Sequence, residues 1–305
     1  LEKKIYNELR THKVARKKRR DQTIDPSVED QPDSSFGVQR EGLKDFTLEE
    51  VKELLIQDNI ARKFRGVIGQ GKEANVYWIR DAKKREAALK MFRIHTSSHN
   101  LKSYHARSKL SDTAKLNITS RFCLTEYLNL YTLYEAGVRV PKPYDQYEFY
   151  YSMQFLGSKR GVSPLLLDVN LEDAELEIVE MMDDILEQLD IMFNKAMIVY
   201  GDFSEHNIIF HNDKLWVIDF LQSQKYHPRY ATEGKINKKD ALPILRRDID
   251  NILIYFKKNY RMSYDPVVVF GSIIGDDPDW IPQELMSENF DLDKYLIEEK
   301  RMRYE

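Results

Sequence analysis

The stretch YGDFSEHNIIFHNDKLWVIDF, residues 200–220, sets Asp202 and Asn207 five positions apart and ends the apolar run LWVI on a second acid, Asp219. A carboxylate, an amide and another carboxylate so placed fit two descriptions. One is a surface loop followed by a half-buried strand end; the other is a site for a metal ion and a phosphate. The stretch alone supports both, and its surroundings must decide.

Composition narrows the field first. The chain has 305 residues, 42% of them hydrophobic and 32% charged, which is enough for one large two-lobed domain or two small ones and argues against a membrane protein. The longest apolar run, AMIVY at residues 196–200, stops at Gly201 and Asp202, far short of the roughly 18 residues of a spanning helix. No secretory signal pattern is visible. Cys123 is the single cysteine, so an internal disulfide is excluded and a reducing compartment is expected. The expected location is the cytoplasm, with nuclear passage in a eukaryote. Cys123 itself reads as core filler in an apolar helix.

The net charge of −3 hides an asymmetry along the chain. The first twenty residues carry nine Lys or Arg against two Glu, and DQTIDPSVEDQPDSSFG follows, acidic and almost free of aliphatic side chains. Residues 1–45 therefore read as a basic then acidic segment too poor in apolar surface to order itself. The basic run suits either a nucleic-acid contact or a solvated tail.

Order is expected from Phe46. Thr47 and Glu50 form a capping box, and Val51, Leu54 and Leu55 supply the apolar stripe of a short helix. FRGVIG, NVYWIR and AALKMF then read as three strands joined by a glycine loop and the DAKKRE turn. Residues 94–119 lack periodicity and read as a flexible loop, and a helix is expected over residues 120–136, stopped by Gly137 and Pro141. EFYYSMQFL reads as a buried strand. The run from Leu171 onward, with Leu176, Ile178, Met182, Ile185, Leu189, Met192 and Phe193 at helical spacing, predicts a major helix, and LRRDIDNILIYFKK predicts another. The first lobe is thus expected over residues 46–153 and the second over 154–262. Residues 263–305 read as an acidic C-terminal extension, of which the tail from Asp276 onward reads as solvated.

Three further features bear on the opening stretch. Gly69-Gln70-Gly71-Lys72-Glu73-Ala74-Asn75-Val76 lies between two predicted strands. Glycines there let backbone N–H groups approach a triphosphate, although the pattern also serves as a plain hairpin turn. With strands on both sides, it is not the strand–loop–helix of a dinucleotide or Walker site. Lys90 sits inside the apolar strand AALKMF, costly unless its ammonium meets an anion or escapes to water. Glu126, among Leu124, Leu128 and Leu130 in the following helix, is its natural partner or else a surface acid. In the opening stretch one carboxylate would approach an acceptor hydroxyl, and Asn207 and Asp219 would offer Mg²⁺ the hard oxygens it prefers. Each element is weak alone; in this order they form a joint signal.

GQGKEANVY (69–77), ALKMF around Lys90, EAGVRVPKP (135–143), GDFSEHN (201–207), VIDF (217–220) and LRRDIDNILIYF (245–256) together resemble the RIO family of atypical protein kinases, over about two-thirds of the chain. SPLLLDVNL (163–171) favours the first-named subfamily, with the second as alternative. The resemblance implies an α+β, bilobal protein kinase-like fold with a small β-rich N-lobe and a larger helical C-lobe, binding ATP with Mg²⁺, or Mn²⁺, between them. It implies Lys90 as phosphate anchor, Glu126 as its partner and Asp202 as catalytic acid. Asn207 and Asp219 become metal ligands. The glycine loop, Gly69, Gly71, Lys72, Glu73, Ala74 and Val76, would cover the nucleotide, and Met153, Gln154 and Leu156 would form the adenine-binding hinge. Ser97, Ser98, Ser103, Ser108 and Ser111 become autophosphorylation candidates, and the pre-ribosomal small subunit and its rRNA become the partners of the basic arm.

Tyr200 replaces the histidine usual before Gly201, and Phe220-Leu221 follows Asp219 without the glycine of D-F-G. No A-P-E element separates Asp219 from the helix near Leu245, so the usual activation loop and peptide-binding subdomains are absent. Two other functions share parts of the pattern: a small-molecule phosphotransferase of the aminoglycoside or choline kinase type, and a non-catalytic assembly factor switched by nucleotide.

Overall fold

Thr47 is a helix N-cap. In the computed structural model, which describes residues 47–93, 112–173, 177–228, 231–232, 234–275, 281–287 and 290–304, its hydroxyl accepts from Glu50 N and the Glu50 carboxylate accepts from Thr47 N. The capped helix α1 (Leu48–Gln57) buries Val51 and Leu55. It covers one face of a five-stranded antiparallel sheet, ordered β1-β2-β3-β5-β4, of β1 (Ala61–Gln70), β2 (Ala74–Asp81), β3 (Glu86–Phe92), β4 (Pro143–Gln146) and β5 (Tyr150–Gln154).

Strand alternation decides what each face does. Ala87, Leu89 and Met91 of β3 join Tyr77, Ile79, Val51 and Leu55 in a small core under α1. Ala88 and Phe92, on the other face, join Ala74, Tyr151 and Met153 in the large core shared with the helical lobe. Lys90 has the parity of this second face. The strand period therefore aims the one charged residue of β3's apolar run away from α1 and into the cleft.

Helix α2 (Asp112–Glu135) starts eight residues earlier than the expected Ser120. Its first turns are polar, and its apolar residues lie on several sides: Cys123, Leu130 and Leu133 are buried while Leu124, Leu128 and Tyr131 are exposed. A helix without a single apolar stripe leaves little periodicity to read. The remainder of the expected loop, and its five candidate serines, lies outside the described residues, as do residues 1–45.

The larger lobe is built on α3 (Ile178–Asp190), which runs into a π turn at Ile191–Lys195, and α4 (Lys238–Tyr260). The helix expected from Leu171 begins only at Ile178; Leu171–Asp173 is a separate 3-10 turn, and Leu176 lies outside the described residues. The short hairpin of β6 (Gly157–Ser158) and β7 (Gly161–Val162) precedes α3, and between α3 and α4 lie β8 (Ile198–Val199), the hairpin β9 (Ile208–His211) and β10 (Lys214–Val217), and β11 (Gln224–His227) with β12 (Ile236–Asn237). Asn212 and Asp213, both at positive φ, make the two-residue turn of that hairpin.

The C-terminal stretch packs on the large core before Asp276, and the acidic tail beyond it buries Leu285 as well. Helix α5 (Pro266–Ile274) sinks Phe270, Ile273 and Ile274 into the large core, and the following 3-10 turn Gln283–Met286 adds Leu285. Fully buried Arg246 of α4 donates to Leu285 O at 2.6 Å and Ser287 O at 2.9 Å, and pairs with Asp250 at 3.1 Å. Its acids dominate the composition of the segment, but VVVFGSII carries its energetics. Removing the Phe270 ring (Phe270→Ala) is expected to cost about 3–5 kcal/mol in chemical denaturation; a change near zero would detach this helix from the core. A last helix, α6 (Leu292–Tyr304), follows. None of the described helices is long and apolar enough to cross a membrane.

Candidate active site

Lys90 reaches Glu126 Oε1 at 2.7 Å and Asp219 Oδ1 at 3.0 Å, with its side chain 7% exposed and that of Glu126 fully buried. Three parts of the chain meet here: β3, α2 and the turn after β10. Glu126 Oε1 also accepts from the Tyr151 hydroxyl and from Phe220 N, both at 3.1 Å. Burial alone would lower the lysine's pKa, but the Asp219 and Glu126 carboxylates outweigh it and hold the ammonium above its ordinary value. Burial would raise Asp219, yet Lys90 draws it below the usual carboxylate range. For Glu126 burial wins and the shift is upward, against the opposing pull of Lys90. Removing one member of such a group leaves buried charge uncompensated, at about 3–5 kcal/mol.

Asp219 holds φ +63, the left-handed region that non-glycine residues seldom occupy. Tyr200 supports it: the buried phenol donates to Ile218 O and, at 2.5 Å, to Asp219 O, while its ring meets Phe203 and Phe220 edge-on. The residue that departs from the kinase pattern before Gly201 is thus a brace for the second acid. Asn129 of α2 donates to Ser223 O at 3.0 Å and Phe220 O at 3.5 Å. With the Phe220 ring buried as well, the chain after Asp219 is held at backbone and side chain alike. It then folds back as β11 against β8 and enters α4 through β12.

The turn carrying Asp202 is clamped from α4. Buried Asp248 accepts from Gly201 N at 2.8 Å and Phe203 N at 3.2 Å, and Arg247 donates to Gly201 O. Gly201 has φ +88, and a Cβ there would lie 2.8 Å from Gln222 O, so only glycine fits. Asp202 itself is exposed. Asn207 Nδ2 donates to Asp202 O at 3.0 Å and Oδ2 at 3.2 Å, and Asn207 O accepts from Ile218 N at 2.9 Å. Asp202 and Asn207 are therefore bonded to each other, and the Asn207 backbone is tied to Ile218, the residue before Asp219.

The donor set suits Mg²⁺. Asn207 spends its amide nitrogen on Asp202 and keeps its oxygen for a cation, and the half-exposed Asp219 supplies a carboxylate. Among the described residues no cluster of three or more His, Cys, Asp or Glu could hold a metal by itself. A cation here needs further oxygens from a ligand, as Mg²⁺ takes them from phosphates.

The glycine loop is a tight connection between β1 and β2. Gly69 stands opposite Val76, Gly71 N donates to Ala74 O at 2.9 Å, and Glu73 O accepts from Arg93 N at 2.7 Å. Lys72 is exposed and Ala74 buried. Met153 stands opposite Ala88, its neighbour Gln154 donates N–H to Lys142 O, and Leu156 O accepts from Ser163 N, which leaves the Leu156 N–H without an acceptor among the described residues. Trp78 and Phe155 stack at 4.5 Å beside this segment, and a Cβ at Gly157 would strike the Phe155 ring at 2.6 Å.

Sequence reading missed Tyr151, Asn129, Arg247 and Asp248, which touch the site only through folding. LRRDID carried Arg247 and Asp248 in plain view, but nothing local distinguishes them from other charges on an amphipathic helix.

Comparison with known proteins supplies the family. The RIO domain family matches residues 75–268. The chain belongs to the RIO family. That span holds Lys90, Glu126, Asp202, Asn207 and Asp219, while the loop up to Ala74 precedes it. The RIO-type serine/threonine-protein kinase Rio1 of Haloferax volcanii is 28% identical over 231 residues, 73% of each chain. The serine/threonine-protein kinase RIO1 of Caenorhabditis elegans is 29% identical over 215 residues, 67% of this chain but 39% of that protein. Against most of these RIO1 relatives the chain spans about two-fifths of their length or less. The Chaetomium thermophilum Rio2 kinase, solved as an ADP/Mg²⁺-phosphoaspartate complex, shares the fold with a TM-score of 0.52 at 17% identity, over 82% of this chain and 70% of that one.

Proposed function

We propose that this RIO-family chain is an ATP- and Mg²⁺-dependent serine/threonine kinase. The observation that carries the reading is the buried Lys90 ammonium held between Glu126 and Asp219. Adenine would lie on the cleft face of the sheet, beside Ala88, Val76 and Met153, with the Leu156 N–H as donor. Lys90 would anchor phosphate oxygens, and Glu126, tied to Tyr151 and Phe220, would fix where its ammonium points. Asn207 and Asp219 would hold the metal ion, which when bound neutralises phosphate charge as the phosphoryl group leaves ADP. Asp202 would accept a hydrogen bond from the acceptor hydroxyl and align it for in-line attack. The acceptors include this chain's own serines, and the basic arm and the family support a role in small-subunit maturation.

Asp219 favours a second outcome at the same site. Its carboxylate can itself attack the γ-phosphorus, breaking the bond to the bridging oxygen and releasing ADP; water then attacks phosphorus and frees inorganic phosphate. The phosphoaspartate of the Chaetomium kinase gives this route a precedent in the fold. Wild type and Asp219→Ala, assayed for ATP hydrolysis and autophosphorylation with and without small-subunit particles, test both readings. The variant is expected to lose both activities by at least about a hundredfold, and an alkali-labile phosphoryl adduct on wild type alone marks the hydrolytic route. Undiminished turnover by the variant would overturn the metal-ligand role.

A further inference from the structure

A polar cavity of about 420 Å³ opens directly behind the turn that carries Asp202 and Asn207. Its walls are the 3-10 turn Glu205–Asn207, the end of α4 and the 167–169 loop. Tyr255 and Tyr260 form its base, where their hydroxyls bond Leu166 O and Val169 O and so pin that loop to α4. The ATP reading above gives this scaffold no task.

The lining is chemically mixed. Glu205 and Lys258 both face the cavity, and neither has an ion partner among the described residues. Burial and Tyr260 raise the Tyr255 phenol, and the Glu205 carboxylate adds to that rise. Lys258 is more exposed and sits at the rim. Asn259 gives its amide nitrogen to Tyr255 O, leaving its oxygen free, and Asn251 adds a second carboxamide. Ile254, 60% exposed, and Leu167, 49% exposed, supply apolar contact at the mouth. One ammonium opposite one carboxylate does not attract a polyanion, so a nucleic acid is disfavoured. Amide donors and acceptors, an apolar lip and one charge of each sign suit a polypeptide segment.

Reach agrees with that choice. Asp202 and Glu205 are three positions apart in the chain, a span of at most about 11 Å. A side chain two or three positions from an acceptor serine at Asp202 can therefore enter the cavity.

We propose that this cavity is the docking subsite for the acceptor polypeptide, with Lys258 selecting an acidic side chain two or three residues from the phosphorylated serine. The inference rests on the kinase reading of the adjacent site and adds its substrate class. The test uses serine peptides varied one flanking position at a time, with radiolabelled ATP, on the full chain. Wild type is expected to prefer Asp or Glu at one such position. Lys258→Glu should reverse that preference toward Lys or Arg and raise peptide KM about tenfold, while ATP KM stays within twofold. Ile254→Trp, which fills the mouth from an exposed position, should raise peptide KM similarly without altering preference at saturation. Unchanged peptide KM and preference in both variants overturn the proposal. So does ATP hydrolysis by wild type without transfer to any peptide, or competition for the cavity by RNA in place of peptide. Absence of any ATP turnover in wild type sinks the kinase reading itself, which separates the two failures.

Discussion

Replacing Asp202 with alanine is expected to lower kcat for phosphoryl transfer by at least about a thousandfold while leaving ATP affinity within about tenfold. The split follows from position. Asp202 is exposed at the cleft side of a clamped turn, and its Oδ2 is occupied only by the Asn207 amide. It makes none of the contacts that hold Lys90, so ATP loses no phosphate anchor in the variant. In the proposed mechanism what disappears is the acceptor that would align the incoming hydroxyl, an interaction realised as the bond forms. Single-turnover transfer measured beside calorimetric ATP titration separates the two effects. Equal transfer rates would move the role to another residue, and a parallel loss of ATP binding would make Asp202 a nucleotide ligand.

Asp248→Ala is expected to be nearly as severe for a different reason. It leaves the Gly201 and Phe203 N–H groups buried without an acceptor, each at about 1–3 kcal/mol, and opens a hole beside Arg247. The variant should lose about 3–5 kcal/mol in denaturant melts, and its residual activity should fall through kcat rather than ATP KM. Asp248→Asn is a sharper probe, since it keeps the volume but turns an NH₂ toward one donor. pH gives an independent reading. Burial lifts the Asp248 carboxyl to about 6, against the pull of the two N–H groups. The folded state therefore binds this proton more tightly than the unfolded chain does. The group's own contribution to stability is greatest below its ordinary value of 3.8 and is lost as pH rises from there to about 6. Function runs the other way, because protonation removes an acceptor from the clamp. The kcat profile of wild type should turn down below about pH 6, and Asp248→Asn should be low and flat through that range. A wild-type profile with no inflection there would detach the clamp from catalysis.

The sequence by itself was legible where chemistry and local period coincide. The capping box at Thr47 and Glu50, the strand around Lys90 and the order of Gly71, Lys90, Glu126, Asp202, Asn207 and Asp219 all depend on neighbours within a few residues. Strand parity then assigns Lys90 to the cleft face once α1 is known to cover the other. Local signals failed where a helix is surrounded or a segment is dominated by its charges. The start of α2 was hidden because apolar residues fall on several of its sides, and Phe270 and Leu285 were hidden behind the acids around them.

Only the tertiary structure decided what holds the site in place. Glu126 and Phe220 lie 94 positions apart and Gly201 and Asp248 lie 47 apart, yet each pair shares a hydrogen bond. Such bonds form between chain segments whose own patterns carry no trace of each other, because the core brings them together only after each element has formed. The sequence thus singled out Lys90, Glu126, Asp202, Asn207 and Asp219 as candidate site residues. The fold determined that Tyr200, Asn129 and Asp248 would make their positions rigid.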